Sequence, residues 1–170
     1  IPADDRNELR KYIGPPLKYS FTTFEGFNDE QCEEAIRRYR AYYSTIGLFE
    51  NVPYEGIDRL LKQIKESGRK IAVTTSKPEK FTIQILEKFG ILQYFDVVAG
   101  ATMDEKRGEK CDIVAYALEQ FGNPDRTEAV IVGDTRFDAE GAAIVGIDCI
   151  GVLYGFGTEE ELKKAIDWAN

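Results

Sequence analysis

The chain has 170 residues, long enough for one domain with a substantial core, or for one domain carrying a small insert. An apolar fraction of 43% and a charged fraction of 31% exclude a disordered chain, and a net charge of −8 argues against a nucleic-acid footprint. No apolar run approaches the roughly 18 residues needed to span a bilayer, and no basic segment leads into an apolar one as in a signal peptide. A soluble cytoplasmic protein with no membrane partner is the expectation.

In chain order, the first part up to about Gly47 reads as helical. Residues 4–13 form a short amphipathic segment stopped by Gly14-Pro15-Pro16, and residues 17–24 form a second short helix ending near Gly26. Asn28 then caps a long helix from Asp29 to about Ile46, with Gln31 in the capping-box position and Gly47 as terminator. Its apolar stripe of Cys32, Ala35, Ile36, Tyr39, Tyr42, Tyr43 and Ile46 predicts core. Arg37, Arg38 and Arg40 lie on other faces, where a solvated surface is expected. Asn51 and Pro53 then break the pattern and mark a hinge, which divides the chain into a helical subdomain over 1–52 and a second unit over 53–170.

Beyond the hinge, helices and strands alternate. Residues 56–67 make a helix with Ile57, Leu60, Leu61 and Ile64 inward, and 70–75 a strand. A helix over 78–89 starts on Pro78, and a strand over 94–99 follows. Then come a helix over 109–121, a strand over 128–132, a helix over 136–145 and a strand over 148–153. Thr158 and Glu161 box the start of a final helix over 159–168. Alternation at these lengths predicts an α/β fold with a parallel sheet covered on both faces. Cys32, Cys111 and Cys149 each lie in or beside apolar stretches and are expected to be buried thiols. With no histidine in the chain, any acid–base or metal chemistry must use carboxylates, lysines, hydroxyls or thiols.

Three strand ends carry polar groups, and the carboxyl ends of parallel strands are where ligands bind. Ile71-Ala72-Val73 runs into Thr74-Thr75-Ser76-Lys77-Pro78, which sets hydroxyls before a helix start. That arrangement suits an anion such as phosphate, although Thr75 or Ser76 could equally cap the helix. The second end, Ala99-Gly100-Ala101-Thr102-Met103-Asp104, reads as a flexible loop leading to Lys110 at the start of a helix. A cation at that end of the helix dipole calls for an anion or a carboxylate nearby, unless it is an ordinary surface lysine. At the third end, Asp134 and Asp138 stand four residues apart after the strand Ala129-Val130-Ile131-Val132. Carboxylates there suit Mg²⁺, while the plain alternative has Asp134 capping the next helix and Asp138 solvated. A hydroxyl, an ammonium and two carboxylates together form a kit for holding a phosphate beside Mg²⁺ and stabilising phosphoryl transfer.

These residues resemble the haloacid dehalogenase superfamily, in its phosphoglycolate-phosphatase-like branch, over nearly the whole chain. Ile71 to Pro78 is similar to the second motif of that family, Lys110 to the lysine of the third, and Gly133-Asp134-Thr135-Arg136-Phe137-Asp138 to the GDxxxD fourth. Tyr12-Ile13-Gly14-Pro15-Pro16-Leu17 and Gly151-Val152-Leu153-Tyr154-Gly155-Phe156-Gly157 are similar to segments common in the branch. The resemblance implies a Rossmann-like core with residues 1–52 as a small α-helical cap. It implies a Mg²⁺-dependent phosphatase of a small phosphorylated metabolite, phosphoglycolate-like, acting through an aspartyl-phosphate. Thr75, Ser76 and Lys110 would bind phosphate, with Thr75 and Lys110 catalytic; Asp134 and Asp138 would serve the metal, or Asp138 would orient Lys110.

The DxDGT motif, which in the family supplies the nucleophile on a strand before the cap, has no counterpart here. Asp4 and Asp5 follow no buried strand. Residues 53–170 are therefore expected to form an incomplete core with a gap at its centre, as part of a longer protein or with the strand donated by another chain. Two other readings follow: a catalytically inactive scaffold or binding-only member of the same fold, and a phosphoacceptor receiver module. The receiver would need a further aspartate on a central strand and fits the helical insert poorly.

Overall fold

The computed structural model describes residues 6–104 and 106–169. The described residues begin with a 3-10 turn, Arg6–Tyr12, where the periodicity predicts a helix over 4–13; Asp4 and Asp5 lie outside the described residues. Helix α1 (Leu17–Glu25) starts after Pro16 and ends at Gly26, whose φ of +67° gives the left-handed terminus. Helix α2 (Asp29–Tyr43) begins on the predicted capping box. Gln31 N–H donates to Asn28 Oδ1 at 2.9 Å, and Asn28 N–H donates to Gln31 Oε1 at 3.0 Å.

The end of α2 differs from expectation. It ends at Tyr43 in a turn where Ser44 N–H still reaches Arg40 O at 2.9 Å and Ile46 N–H reaches Tyr42 O at 3.0 Å, after which Gly47–Phe49 forms a 3-10 turn. Its apolar stripe is only half core. Cys32 and Ile36 are buried with Phe21 of α1, but Tyr39, Tyr42 and Ile46 are 41%, 52% and 53% exposed. The cause is length: nine residues of α1 cannot cover the fifteen of α2. Beyond the reach of α1, Tyr39 and Tyr43 line an open cleft.

Helix α3 (Ile57–Glu66) leads into a parallel ladder of β1 (Ala72–Pro78) and β2 (Val97–Ala101), joined by α4 (Glu79–Lys88). Strand β2 lies later than predicted. Residues Leu92–Tyr94 are a 3-10 turn, and Asp96 sets the register by donating its N–H to Ile71 O while its carboxylate accepts Ile71 N–H, both at 2.8 Å. Gly100 and Ala101, read from sequence as loop, belong to β2: Thr75 aligns with Gly100, the register shifts, and Pro78 aligns with Ala101. Ser76 and Lys77 therefore sit in a bulge.

A second parallel ladder joins β3 (Val130–Gly133) to β4 (Asp148–Gly151), flanked by α5 (Lys110–Gln120), α6 (Arg136–Val145) and α7 (Glu159–Ala169). Among the described residues the two ladders share no strand pairing, so β1 and β3 each have one strand neighbour. Helix α5 ties them together. Ile113 and Ala117 pack with Ala99 and Ala101 of the first ladder, while Val114 and Leu118, one position on, pack with Ile131 and Ala142 of the second unit. A cleft of about 1420 Å³ lies between β1 and β3, and α3 offers it Ile57, Leu60 and Ile64 rather than burying them all in core. Of the cysteines only Cys32 is buried; Cys111 and Cys149 are half-buried, and all three are free thiols. No helix among the described residues is long and apolar enough to cross a membrane.

Because α5 joins the ladders, truncating it should loosen both. Ile113→Ala removes a fully buried side chain from this seam and is expected to destabilise the fold by about 2–5 kcal/mol, read as a lower urea midpoint at unchanged m-value.

Candidate active site

The site is assembled from the start of α5, the start of α6 and the ends of β1 and β3. Lys110 is the first residue of α5. Its stem runs across the face of α6 where Gly141 has no side chain: a Cβ there would lie 2.5 Å from Lys110 Cγ. The ammonium thereby reaches two acceptors, Asp138 Oδ1 at 2.8 Å and the Thr74 carbonyl at 3.2 Å. Both partners of the ion pair are shielded, at 12% and 11% side-chain exposure, so this is no ordinary surface lysine.

Asp138 has its second oxygen occupied as well. Oδ2 accepts the Thr135 N–H at 3.1 Å and the Thr135 hydroxyl at 2.8 Å, which closes the first turn of α6. Burial pushes its pKa up, but the Lys110 charge and the hydrogen bonds from Lys110 and Thr135 outweigh burial and leave it below the usual carboxylate value. The solvated reading of Asp138 is thereby excluded, since the residue is 8% exposed.

Asp134 ends the β3 turn without capping α6, a place taken by Thr135. Its Oδ2 accepts the Phe156 N–H at 2.8 Å, and its carbonyl accepts the Gly157 N–H at 3.0 Å. The 152–157 segment can wrap this closely because Gly155 has no Cβ, which would lie 2.1 Å from Asp134 Oδ2. At the end of β1, Thr75 and Ser76 do not cap α4 either; Pro78 holds that position, with no side-chain bond. Instead Lys77 N–H donates to Thr75 Oγ1 at 3.2 Å across the bulge.

Thr75, Ser76, Lys110, Asp134 and Asp138 thus all line the one cleft, together with residues 12–17. Of the arginines on α2, Arg37 and Arg38 pair with Glu34 at the surface, as the solvated-face reading expects, while Arg40 lines the cleft and donates to the Met103 carbonyl at 3.4 Å. Sequence reasoning missed Gly141 and Gly155 as the permissive backbone, and Lys77 with Tyr43 as cleft residues. It also missed Arg107, which clamps the loop before Lys110 by reaching Glu79 at 2.7 Å and the Gly100 carbonyl at 2.9 Å while lying over Tyr116. No spacing rule would have found these, since each depends on a contact between distant segments.

Chemically, the arrangement offers a cation, two hydroxyls and a carboxylate around open space, a set suited to a tetrahedral oxyanion and a hard cation. Among the described residues no three His, Cys, Asp or Glu side chains cluster to cage a metal. Asp134 with water and phosphate oxygens fits Mg²⁺ all the same, because that ion commonly takes only one or two carboxylates.

Removing the carboxylate of Asp138 would strand Lys110. Asp138→Asn is expected to lower stability by about 3–5 kcal/mol near neutral pH, measured by denaturant titration. The folded-state pKa lies below the unfolded value, so the contribution is complete above the ordinary carboxylate range and is lost as pH falls through the lowered value. The gap between parent and variant should therefore narrow below about pH 4.

Residues 3–152 match the haloacid dehalogenase-like hydrolase family. The chain is 42% identical to a predicted phosphatase from Clostridium acetobutylicum whose crystal structure superposes with a TM-score of 0.93, covering 97% of this chain and 76% of that one. It is 34% identical over 163 residues to a 5'-nucleotidase of Pseudomonas aeruginosa, covering 96% of this chain and 73% of that protein. It is 41% identical over 163 residues to the tyrosine-protein kinase PtkA of Mycobacterium tuberculosis, covering 96% of this chain but 55% of that protein, so it spans about half the length of that relative. The parallel α/β architecture, the strand-end carboxylates and the family match agree: this chain belongs to the haloacid dehalogenase-like hydrolases.

Proposed function

We propose that the protein is a Mg²⁺-dependent phosphatase acting on a small phosphorylated metabolite, phosphoglycolate-like, in the cytoplasm. The observation that carries this reading is the meeting of Thr75, Ser76, Lys110 and Asp134 on one cleft at the carboxyl ends of β1 and β3. Thr75 and Ser76 donate to phosphate oxygens. Lys110, held by Asp138, neutralises charge that builds on the phosphoryl group. Asp138 is a positioning residue, since both its oxygens are engaged within the protein. Asp134 would hold the metal, while Asp138 acts on the phosphoryl group through Lys110. When bound, Mg²⁺ supplies Lewis-acid stabilisation of the phosphoryl oxygens.

The attacking carboxylate is proposed to come from a strand seated between β1 and β3. Each of these strands has a single neighbour among the described residues, and Val130 and Val132 present apolar side chains to the cleft between them. A strand there would satisfy two backbone edges and bring its end beside Thr75 and Asp134. Residues 1–52 act as the cap over this cleft, and 53–170 as the core. A binding-only scaffold of the same fold is the alternative reading; the split sheet favours it for residues 6–169 taken alone.

A panel of phosphate esters, assayed on the full-length protein with and without Mg²⁺, separates the two. The phosphatase reading expects turnover that needs the metal and falls by about 10²–10³-fold in Lys110→Ala, with a denaturant titration beside the assay to show that this variant, which strips Asp138 of its partner, is folded under assay conditions. Near-parent turnover in that variant would discard the role given to Lys110, and no turnover of any ester would favour the scaffold.

A further inference from the structure

The bulge at Ser76–Lys77 sends the Lys77 side chain across the cleft to the N-terminal helices, where its ammonium donates to the Tyr43 hydroxyl and lies 4.6 Å from the centroid of that ring. No carboxylate stands within ion-pair distance of Lys77 among the described residues, although the group is largely withdrawn from water, which pushes its pKa down. A desolvated cation without a counter-charge is costly unless an anion visits it. Tyr43 is placed to share that task. Its oxygen accepts from Lys77, so its own O–H remains to be given away, and its ring is fixed by stacking on Tyr39 at 5.2 Å and edge contact with Phe81 at 5.9 Å. The backbone N–H of Lys77 meanwhile holds the Thr75 hydroxyl, so the ammonium and the phosphate-holding groups share one short segment.

We propose that Lys77 and Tyr43 form a subsite for a second oxyanion, a carboxylate or a phosphate carried by the leaving group, so that the cleft selects doubly acidic phosphate esters. This rests on the phosphatase reading above and adds to it the residues that choose the substrate. A compact ammonium and a single hydroxyl give two separate donors rather than a planar fork, which favours a small terminal anion over an extended one.

The test uses the full-length protein and three esters of similar size: phosphoglycolate, ethylene glycol bisphosphate and ethyl phosphate, the last lacking the second anion. The parent should favour one or both acidic esters over ethyl phosphate by about tenfold or more in kcat/KM, the range expected for charge-assisted hydrogen bonds; which of the two it favours identifies the anion. Lys77→Met should erase most of that preference, Tyr43→Phe should reduce it while keeping the ring, and Lys77→Arg should restore part of it. A parent ratio near one, or a ratio unchanged in both Lys77→Met and Tyr43→Phe, overturns the subsite. So does an equal loss on all three esters, which is the signature of a purely structural link between helix and strand. Calorimetry of the same ligands on metal-free protein reads the preference as binding. If nothing is hydrolysed, the phosphatase reading fails while the subsite stands or falls on that binding ratio.

Discussion

The buried ion pair between Lys110 and Asp138 is the constraint on which the site depends. Neither charge could be withdrawn from water alone, because the unpaired partner would face a desolvation cost that a hydrogen bond or two does not offset. As a pair, they let three elements be fixed at one point: the start of α5, the first turn of α6 and, through the Thr74 carbonyl, β1. That arrangement also answers an electrostatic difficulty. A lysine on the first turn of a helix opposes the helix dipole, and Asp138 supplies the compensating negative charge from the start of a neighbouring helix, where a carboxylate is favoured. Gly141 is what makes the approach close enough, since any larger residue there would occupy the path of the lysine stem.

The same pair also links the two ladders among the described residues. Two two-stranded ladders would ordinarily drift relative to one another, having no hydrogen bonds in common among the described residues. Helix α5 instead packs one pair of side chains against each ladder, and Lys110 at its tip ties the first ladder to α6 of the second. Among the described residues, side-chain contacts thus connect the ends of β1 and β3 around a shared cleft.

Much of this was visible in the residues before any coordinates. The order of helices and strands follows from periodicity and stop signals, and the Asn28–Gln31 box and the Arg136–Val145 helix fall where those signals put them. Thr75, Lys110, Asp134 and Asp138 could be picked out because strand ends and helix starts are places where polar residues need a reason. The misreadings have a common origin in contacts that no local pattern encodes. The stripe of α2 was periodic enough to be core, but periodicity cannot state how long the covering helix is. Gly100 and Ala101 looked like loop because small residues carry little strand signal, and pairing with Thr75 before the bulge and with Pro78 past it makes them strand. For Asp138 the sequence left two roles open, serving the metal or orienting Lys110, and its contacts with Lys110 and Thr135 support the second.

That engagement bears on how the chemistry is divided. With Asp138 committed to Lys110 and Thr135, Asp134 stands as the cleft carboxylate whose side chain accepts, among the described residues, from the Phe156 N–H. An ion held there by one carboxylate from these residues needs the rest of its coordination from water, substrate and whatever carboxylate the proposed central strand brings. Affinity for the ion and for the phosphate would then be coupled, each completing the shell of the other, with Lys110 limiting the charge that either must balance. In the proposed scheme, holding the phosphoryl group and choosing the leaving group would fall to neighbouring residues of one segment: Thr75 and Ser76 for the first, and Lys77, which reaches to Tyr43 on the N-terminal helices, for the second. On that scheme a change in the helices would alter which ester is accepted without disturbing the groups that act on phosphorus.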